Sequence, residues 1–143
     1  MNERFDEVGY WTEIKLGIIK DYAKAYAKIM SKQGPIRHYT YIDAFAGAGS
    51  LISRESGEEI DGSPLMALKI EPRFSYYHLI EMDPQRAERL RQLTKERDDI
   101  RIYEGDCNIV LVKDVFPQCR YKDFRRALCL LDPYELNPRW EVL

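Results

Sequence analysis

The sequence lacks any apolar run long enough to cross a bilayer, which takes about 20 consecutive apolar residues. Runs such as 127–131 are far shorter, and residues 1–6 lack the apolar stretch of a signal peptide. The chain also lacks an excess of basic charge, because 22 Lys and Arg residues stand against 24 Asp and Glu residues, for a net charge of −2. The overall basicity that is typical of nucleic-acid-binding domains is therefore absent. These absences predict a cytoplasmic protein that does not associate with membranes.

Cysteine and histidine, the side chains typical of zinc sites, are few: the chain has three cysteines and two histidines. No CxxC pair occurs, and His38 and His78 do not fall at a metal-ligand spacing from Cys107, Cys119 and Cys129. Free cysteines are among the most buried residue types in proteins. We therefore predict reduced, mostly buried thiols and no metal site.

What is present fits one globular domain. The chain has 143 residues, of which 45% are apolar and 32% charged, so it is long enough for a single core and too apolar for disorder. Apolar residues recur at spacings of three and four over 11–30, which predicts an amphipathic helix with Thr12 as its N-cap. We therefore interpret 1–143 as a single domain, with a leading helix in 1–35 and a nucleotide-binding βαβ core in 36–143.

Strand-like and helix-like segments alternate through that core. Strands are predicted where aromatic and β-branched residues cluster, at 39–45, 76–80, 100–103 and 127–131. Helices are predicted to begin at Ser63-Pro64 and Asp83-Pro84, with the first residue of each pair as N-cap, and to span 109–116. The polar segment 51–61 is predicted to be a hairpin or a mobile excursion. The alternation predicts an α/β fold with a doubly wound parallel sheet.

Each predicted strand ends in an acidic residue or is followed closely by one. These residues are Asp43, Glu81, Asp106 and Asp132. In a doubly wound sheet, ligands bind at the carboxyl ends of the strands. The sequence therefore predicts a ligand site where these four residues meet.

A glycine turn follows the first of these strands. Gly47 and Gly49 allow the backbone to approach a ligand without an intervening Cβ. A dinucleotide-binding fingerprint requires a small residue three positions later, but Ile52 occupies that position, and no Gly-Lys-Ser/Thr follows. The pattern therefore argues against a nicotinamide or flavin dinucleotide and against a nucleoside triphosphatase loop.

Two carboxylates at the strand ends suit an adenosine-containing ligand without a pyrophosphate. Glu81 can accept both hydroxyls of a ribose, and Asp106 can accept the amino group of a purine. S-adenosylmethionine (SAM) fits that description, and Asp43 could reach its ammonium or sulfonium end. Ser50 and Cys107, which adjoin these residues in the sequence, complete the predicted cofactor site.

The end of the fourth strand, Leu131-Asp-Pro-Tyr134, resembles the Asp-Pro-Pro-Tyr element of amino-group methyltransferases, with one proline in place of two. The resemblance implies that Asp132 and Pro133 orient an acceptor amino group and that Tyr134 stacks on its base. Such catalysis works by positioning the acceptor nitrogen.

Several motifs together resemble the three-Cys-motif partner proteins. They are Trp11-Thr-Glu-Ile-Lys-Leu16, Tyr41-Ile-Asp-Ala-Phe-Ala-Gly-Ala-Gly49, Gly62-Ser-Pro-Leu65, Glu81-Met-Asp83, Glu104-Gly-Asp-Cys-Asn108 and Leu131-Asp-Pro-Tyr134. The resemblance implies a Rossmann-like class I SAM-dependent methyltransferase fold. Because such sheets have seven strands, it also implies a chain truncated after the fourth strand, whose exposed edge could pair in a homo-oligomer.

Two functions remain open at this point. The first is a SAM-dependent methyltransferase acting on an amino group of a nucleobase in DNA or RNA. The second is a SAM-binding or degenerate, non-catalytic domain that works with a partner protein. Plain structural roles also remain open, because Glu81 and Asp106 precede helices, and acidic residues favour helix N-termini.

Overall fold

The computed structural model describes residues 6–8, 10–53 and 56–131, which form an α/β fold. In chain order its elements are β1 (Asp6–Val8), α1 (Tyr10–Ser31), β2 (His38–Asp43), β3 (Ser50–Ser53), β4 (Glu59–Asp61), α2 (Ser63–Leu68), β5 (Tyr76–Glu81), α3 (Pro84–Thr94), β6 (Ile100–Glu104), α4 (Cys107–Val110) and β7 (Arg125–Leu130). No helix in these ranges has the length and apolar character that crossing a membrane requires.

The main sheet has four parallel strands in the order β6-β5-β2-β7. The chain builds outward from β2 through β5 to β6, and then returns to the opposite side of β2 with β7. The direction of winding therefore reverses between β2 and β7, which confirms the predicted doubly wound parallel sheet. Ligands of such sheets bind at the carboxyl ends of the strands beside this reversal.

Helices cover both faces of the main sheet. One face packs Tyr41 and Leu79 against α1, α2 and α3, and the largest core cluster lies there. The other face packs Ile42 and Ile80 against α4 and the segment that follows it. The strands are therefore buried on both faces, which explains why apolar residues occupy consecutive positions in them.

A second, smaller sheet has the order β1-β3-β4. Strands β3 and β4 are antiparallel and form a hairpin, as the segment 51–61 was predicted to do. Strand β1 pairs with β3 in parallel. This hairpin emerges directly from the glycine turn, so it flanks the carboxyl end of β2.

Two predicted N-caps are wrong and one is confirmed. Thr12 lies inside α1, which begins at Tyr10. Ser63 is the first residue of α2, whose N-cap is Gly62; the Ser63 hydroxyl accepts no N–H of its own helix and donates a hydrogen bond to Asp43. Asp83 does cap α3, since its side chain accepts the N–H of Gln85 at 2.9 Å.

The predicted helix 109–116 differs from the structure at both ends. Helix α4 begins earlier, at Cys107, because the Asp106 side chain caps it. It continues as a π-helical turn over Leu111–Val115 and a 3-10 turn over Phe116–Gln118. Pro117 has no N–H to donate, so an α-helical hydrogen-bond ladder cannot pass through it.

The fourth strand of the main sheet and the three cysteines lie close to where the sequence predicts them. Strand β7 spans Arg125–Leu130, and the segment 132–143, which holds the predicted catalytic residues, lies outside the described residues. The three cysteines are free thiols, as predicted; Cys107 is buried and the other two are half-buried.

His78 lies in β5, and its side chain is buried on the face of the sheet that α4 covers. Its ring is 2% exposed and stacks on Tyr103, whose hydroxyl lies 2.9 Å from His78 Nδ1. Burial, together with the nearby charge of Arg101, lowers the pKa of His78 to about 4. The imidazole is therefore neutral near pH 7.

The free energy of unfolding is expected to fall as the pH decreases below about 6.5, because His78 then binds a proton in the unfolded chain but not in the folded one. Between about pH 6.5 and about pH 4 the unfolded chain is protonated at this position and the folded chain is not. The contribution is complete above pH 6.5 and declines by about 3 kcal/mol toward pH 4. Urea unfolding of the wild type and of His78→Gln across this range measures it, because carboxylate titrations cancel in the difference. A difference that is independent of pH would contradict the assignment.

Candidate functional site

The carboxyl ends of β2, β5 and β6 meet at one edge of the main sheet. The loops that leave β2 and β6 bond to the ends of neighbouring strands. The N–H of Ala44 donates to Leu130 O at 3.1 Å, that of Ala46 to Ile80 O at 2.9 Å, and that of Gly105 to Glu81 O at 3.0 Å. The loops that carry the predicted site residues are therefore fixed to the sheet by their backbones.

Glu81 lies at the centre of this edge and is 6% exposed. Its Oε1 accepts the N–H of Gly47 at 2.9 Å, and its Oε2 accepts the N–H of Asp83 at 2.7 Å. The carboxylate therefore joins the glycine turn after β2 to the first turn of α3. Each oxygen keeps a second lone pair, so the bonds do not exhaust its capacity as an acceptor.

Asp43 is turned into the protein and is 1% exposed. Its Oδ1 accepts the N–H of Phe45 at 3.2 Å, and its Oδ2 accepts the hydroxyl of Ser63. These bonds tie the end of β2 to the start of α2. Sequence reasoning missed Ser63 as a member of the site, because the two residues are 20 positions apart and no local pattern links them.

Both glycines of the turn have positive φ angles, +74° at Gly47 and +96° at Gly49. Residues with a Cβ rarely adopt this conformation. A Cβ on Gly49 would also lie 3.0 Å from Leu93 Cδ1 and 3.3 Å from Leu90 Cδ2, both in α3. The predicted reason for this glycine was the approach of a ligand; the structure adds the close packing of the turn on α3. Ser50, next in the chain, is buried at the start of β3.

Asp106 and Cys107 form the start of α4. Asp106 is exposed, and its Oδ1 accepts the backbone N–H of Asn108 at 2.9 Å and the Asn108 amide at 3.0 Å. Burial, and next the charge of Asp106, raise the pKa of the buried Cys107 thiol. The thiol therefore stays protonated, which argues against a nucleophilic role. Asp106 is the most accessible of the three strand-end carboxylates.

The structure thus brings the predicted cofactor residues to one edge and joins Gly47 to Glu81 directly. Asp132, Pro133 and Tyr134 lie outside the described residues, so their predicted role stays a prediction. In the described ranges, no three His, Cys, Asp or Glu side chains are arranged to hold a metal ion.

No protein-family model matches the sequence, and no curated protein matches it. Among solved structures, the chain is similar to the "putative methyltransferase yhhF" from Escherichia coli, at 17% sequence identity and a TM-score of 0.43. The similarity covers 66% of this chain and 43% of that one, so the chain spans less than half of that protein's length. The resemblance to three-Cys-motif partner proteins stays a prediction.

Proposed function

We propose that this chain binds SAM at the carboxyl edge of its main sheet and transfers the methyl group to an amino nitrogen of a nucleobase. The observation that carries the proposal is the bond between Glu81 and the Gly47 N–H, which fixes a glycine turn beside an acidic strand end. This arrangement lies next to the reversal of winding between β2 and β7, where doubly wound sheets bind ligands.

The residues at this edge are compatible with SAM. Asp106 uses Oδ1 to cap α4, while its Oδ2 accepts no hydrogen bond from the described residues and could accept a purine amino group. The free lone pairs of the Glu81 carboxylate could accept the ribose hydroxyls. SAM would supply a methyl group activated by a sulfonium, and the protein would align the acceptor nitrogen with it. The roles proposed for Asp132, Pro133 and Tyr134 rest on the sequence motif.

Replacing Asp106 by serine is expected to weaken SAM binding about tenfold or more while the protein stays folded. Serine still caps α4, so the helix start is kept and only the carboxylate is lost. A hydrogen bond to a charged group contributes about 1.5–3 kcal/mol, and 1.4 kcal/mol corresponds to tenfold in affinity. Calorimetric titration with SAM and with S-adenosylhomocysteine measures the effect.

Asp83→Ser is the matched control, because Asp83 caps α3 with the same geometry one strand away. We expect its SAM affinity to stay within about twofold of the wild type. Equal weakening in both variants would point to a general loss of negative charge rather than a purine contact. No binding to the folded wild-type chain would overturn the cofactor assignment.

A second candidate is a SAM-binding or degenerate domain that acts without turnover beside a partner protein. It is favoured by the structural use of two strand-end carboxylates, since Asp43 and Glu81 already bond with both oxygens inside the protein. Methyl transfer from labelled SAM to a panel of DNA and RNA substrates separates the two candidates. Transfer would establish the enzyme, whereas SAM binding without transfer to any substrate would favour the partner role.

A further inference from the structure

A polar cavity lies at the opposite, amino-terminal end of the main sheet. It has a volume of about 150 Å³ and is lined by residues that open the strands. His38 and Thr40 come from β2, His78 from β5, Arg101 from β6 and Arg125 from β7. Its innermost lining residues, Thr40 and His78, come three residue steps before Asp43 and Glu81, so the cavity lies roughly 10 Å from the carboxyl edge. It is therefore separate from the proposed SAM site.

The strand register places these side chains together. Thr40 is paired with Ala127 and Tyr76, while His38 is paired with Arg125 and His78 with Arg101. Paired residues of neighbouring strands point to the same face of a sheet. Thr40 and His78, at 3% and 2% exposure, form the buried end of the cavity, and the two arginines lie nearer the solvent.

Both arginines bring positive charge to the cavity. Of the described residues, none that lines the cavity is acidic, and no carboxylate forms an ion pair with either guanidinium. Arg101 Nη1 donates to Asp98 O at 2.9 Å, and Arg125 Nη1 donates to Gln118 O at 3.0 Å. Within the described chain their hydrogen bonds use Nη1 alone, so donors at Nε and Nη2 are left for a ligand.

His78 adds a further donor to the lining. The Tyr103 hydroxyl accepts the Gln118 amide at 3.3 Å and lies 2.9 Å from His78 Nδ1, to which it can donate its own hydrogen. In that arrangement the neutral ring carries its proton on Nε2. The cavity thus combines two guanidinium groups, an imidazole N–H and a threonine hydroxyl.

We propose that this cavity binds the phosphate group of a small molecule, either inorganic phosphate or a phosphate monoester. These donors lie on one face of four adjacent strands, and the two guanidinium groups among them match the double negative charge of a phosphate better than the single charge of a carboxylate. A protein cavity of about 150 Å³ can hold a molecule the size of benzene, which is room for one phosphate group. This assignment does not depend on the proposed methyl transfer.

The chain offers a direct reporter, because its only two histidines, His38 and His78, both line the cavity. Inorganic phosphate, a nucleoside monophosphate and acetate are titrated separately into the full wild-type chain, and the imidazole NMR resonances are followed at constant pH. We expect saturable shifts of both rings with the two phosphate compounds and none with acetate. Tighter binding of the monoester than of inorganic phosphate would identify a monoester as the ligand class. Unmoved His78 resonances at tens of millimolar phosphate would overturn the proposal, as would an equal response to acetate.

Variants test whether the arginines hold the anion. Arg101→Gln and Arg125→Gln are each expected to weaken phosphate binding about tenfold or more, because each removes a charged donor. Arg73→Gln is the matched control, since Arg73 is exposed just before β5 and does not line the cavity. Binding that is unchanged in both cavity variants would overturn the proposal. Should a variant fail to fold, the titration of the wild type still decides, because it needs no substitution.

Discussion

Replacing Gly49 by alanine is expected to destabilise the fold by about 3 kcal/mol. An L residue at φ +96° costs about 1–2 kcal/mol, and forcing a methyl group into packed surroundings costs about 1–3 kcal/mol more. The crowding arises because the new Cβ would lie 3.0 Å from Leu93 Cδ1. The midpoint and slope of urea unfolding measure the loss.

Gly57→Ala separates the two causes. Gly57 also has a positive φ, +69°, but nothing lies within 4 Å of a Cβ built there. We expect this control to lose only about 1 kcal/mol, which is the cost of the backbone conformation alone. Leu93→Ala should then recover about 1 kcal/mol in the Gly49→Ala background, since the double-mutant cycle reports the contact itself. Equal losses at Gly49 and Gly57 would show that packing on α3 does not constrain the turn.

Glu81→Gln is expected to cost about 2–3 kcal/mol of unfolding free energy. The variant keeps the shape of the side chain but turns an amide NH₂ toward one of the two backbone N–H groups that the carboxylate accepts. A buried donor left without an acceptor costs about 1–3 kcal/mol, and the remaining bond loses its charge assistance. Urea unfolding measures the total.

Hydrogen exchange of the Gly47 amide gives a local readout of the same variant, because this N–H donates directly to Glu81 Oε1. We expect it to be protected in the wild type, and in Glu81→Gln we expect much faster exchange of the Gly47 or the Asp83 amide, whichever faces the new NH₂ group. Glu104→Gln is the control: Glu104 is paired with Glu81 in the sheet, but its side chain is exposed and forms a surface ion pair with Arg91 at 3.3 Å. Its effect should stay within about 0.5 kcal/mol. Unchanged exchange of both the Gly47 and the Asp83 amide in Glu81→Gln would contradict the role of the carboxylate.

The main sheet was predictable because its signals are local. Clusters of aromatic and β-branched residues locate the strands to within a few residues, and the Asp83-Pro84 pair locates the start of α3. The alternation of strands and helices then leaves few topologies, because connections between parallel strands in a sheet are right-handed. The winding around β2 follows from these constraints.

The contacts of the site were less accessible to sequence reasoning because they are long-range. The motif around Gly47 and Glu81 suggested that both face a ligand, whereas in the structure they bond to each other across 34 positions. The hydroxyl of Ser63 likewise bonds to Asp43 rather than to its own helix. Sequence patterns locate such residues at one edge, but side-chain geometry decides which of them bond to one another.

The cavity at the amino-terminal end was missed for a different reason. Its residues are spread over four strands and the segment after α4, and Arg101 and Arg125 have the sequence context of ordinary surface arginines. Only the strand register places them beside His78. Pairing information, rather than composition, is the signal that could have found it.

The central position of β2 has a consequence for how the chain acquires its structure. Among the described strands of the main sheet, β2 is the first to leave the ribosome, and β7, its partner along one edge, is the last. Until Arg125–Leu130 has been synthesised, the backbone N–H and C=O groups along that edge of β2 lack their partner strand. They are exposed to water or to another polypeptide. Pairing over such sequence distances slows folding and prolongs exposure to aggregation. The pairing of β2 with β7 must therefore wait until β7 has been synthesised, and a nascent chain that stalls before β7 would expose an unpaired edge of β2 that another polypeptide could bind.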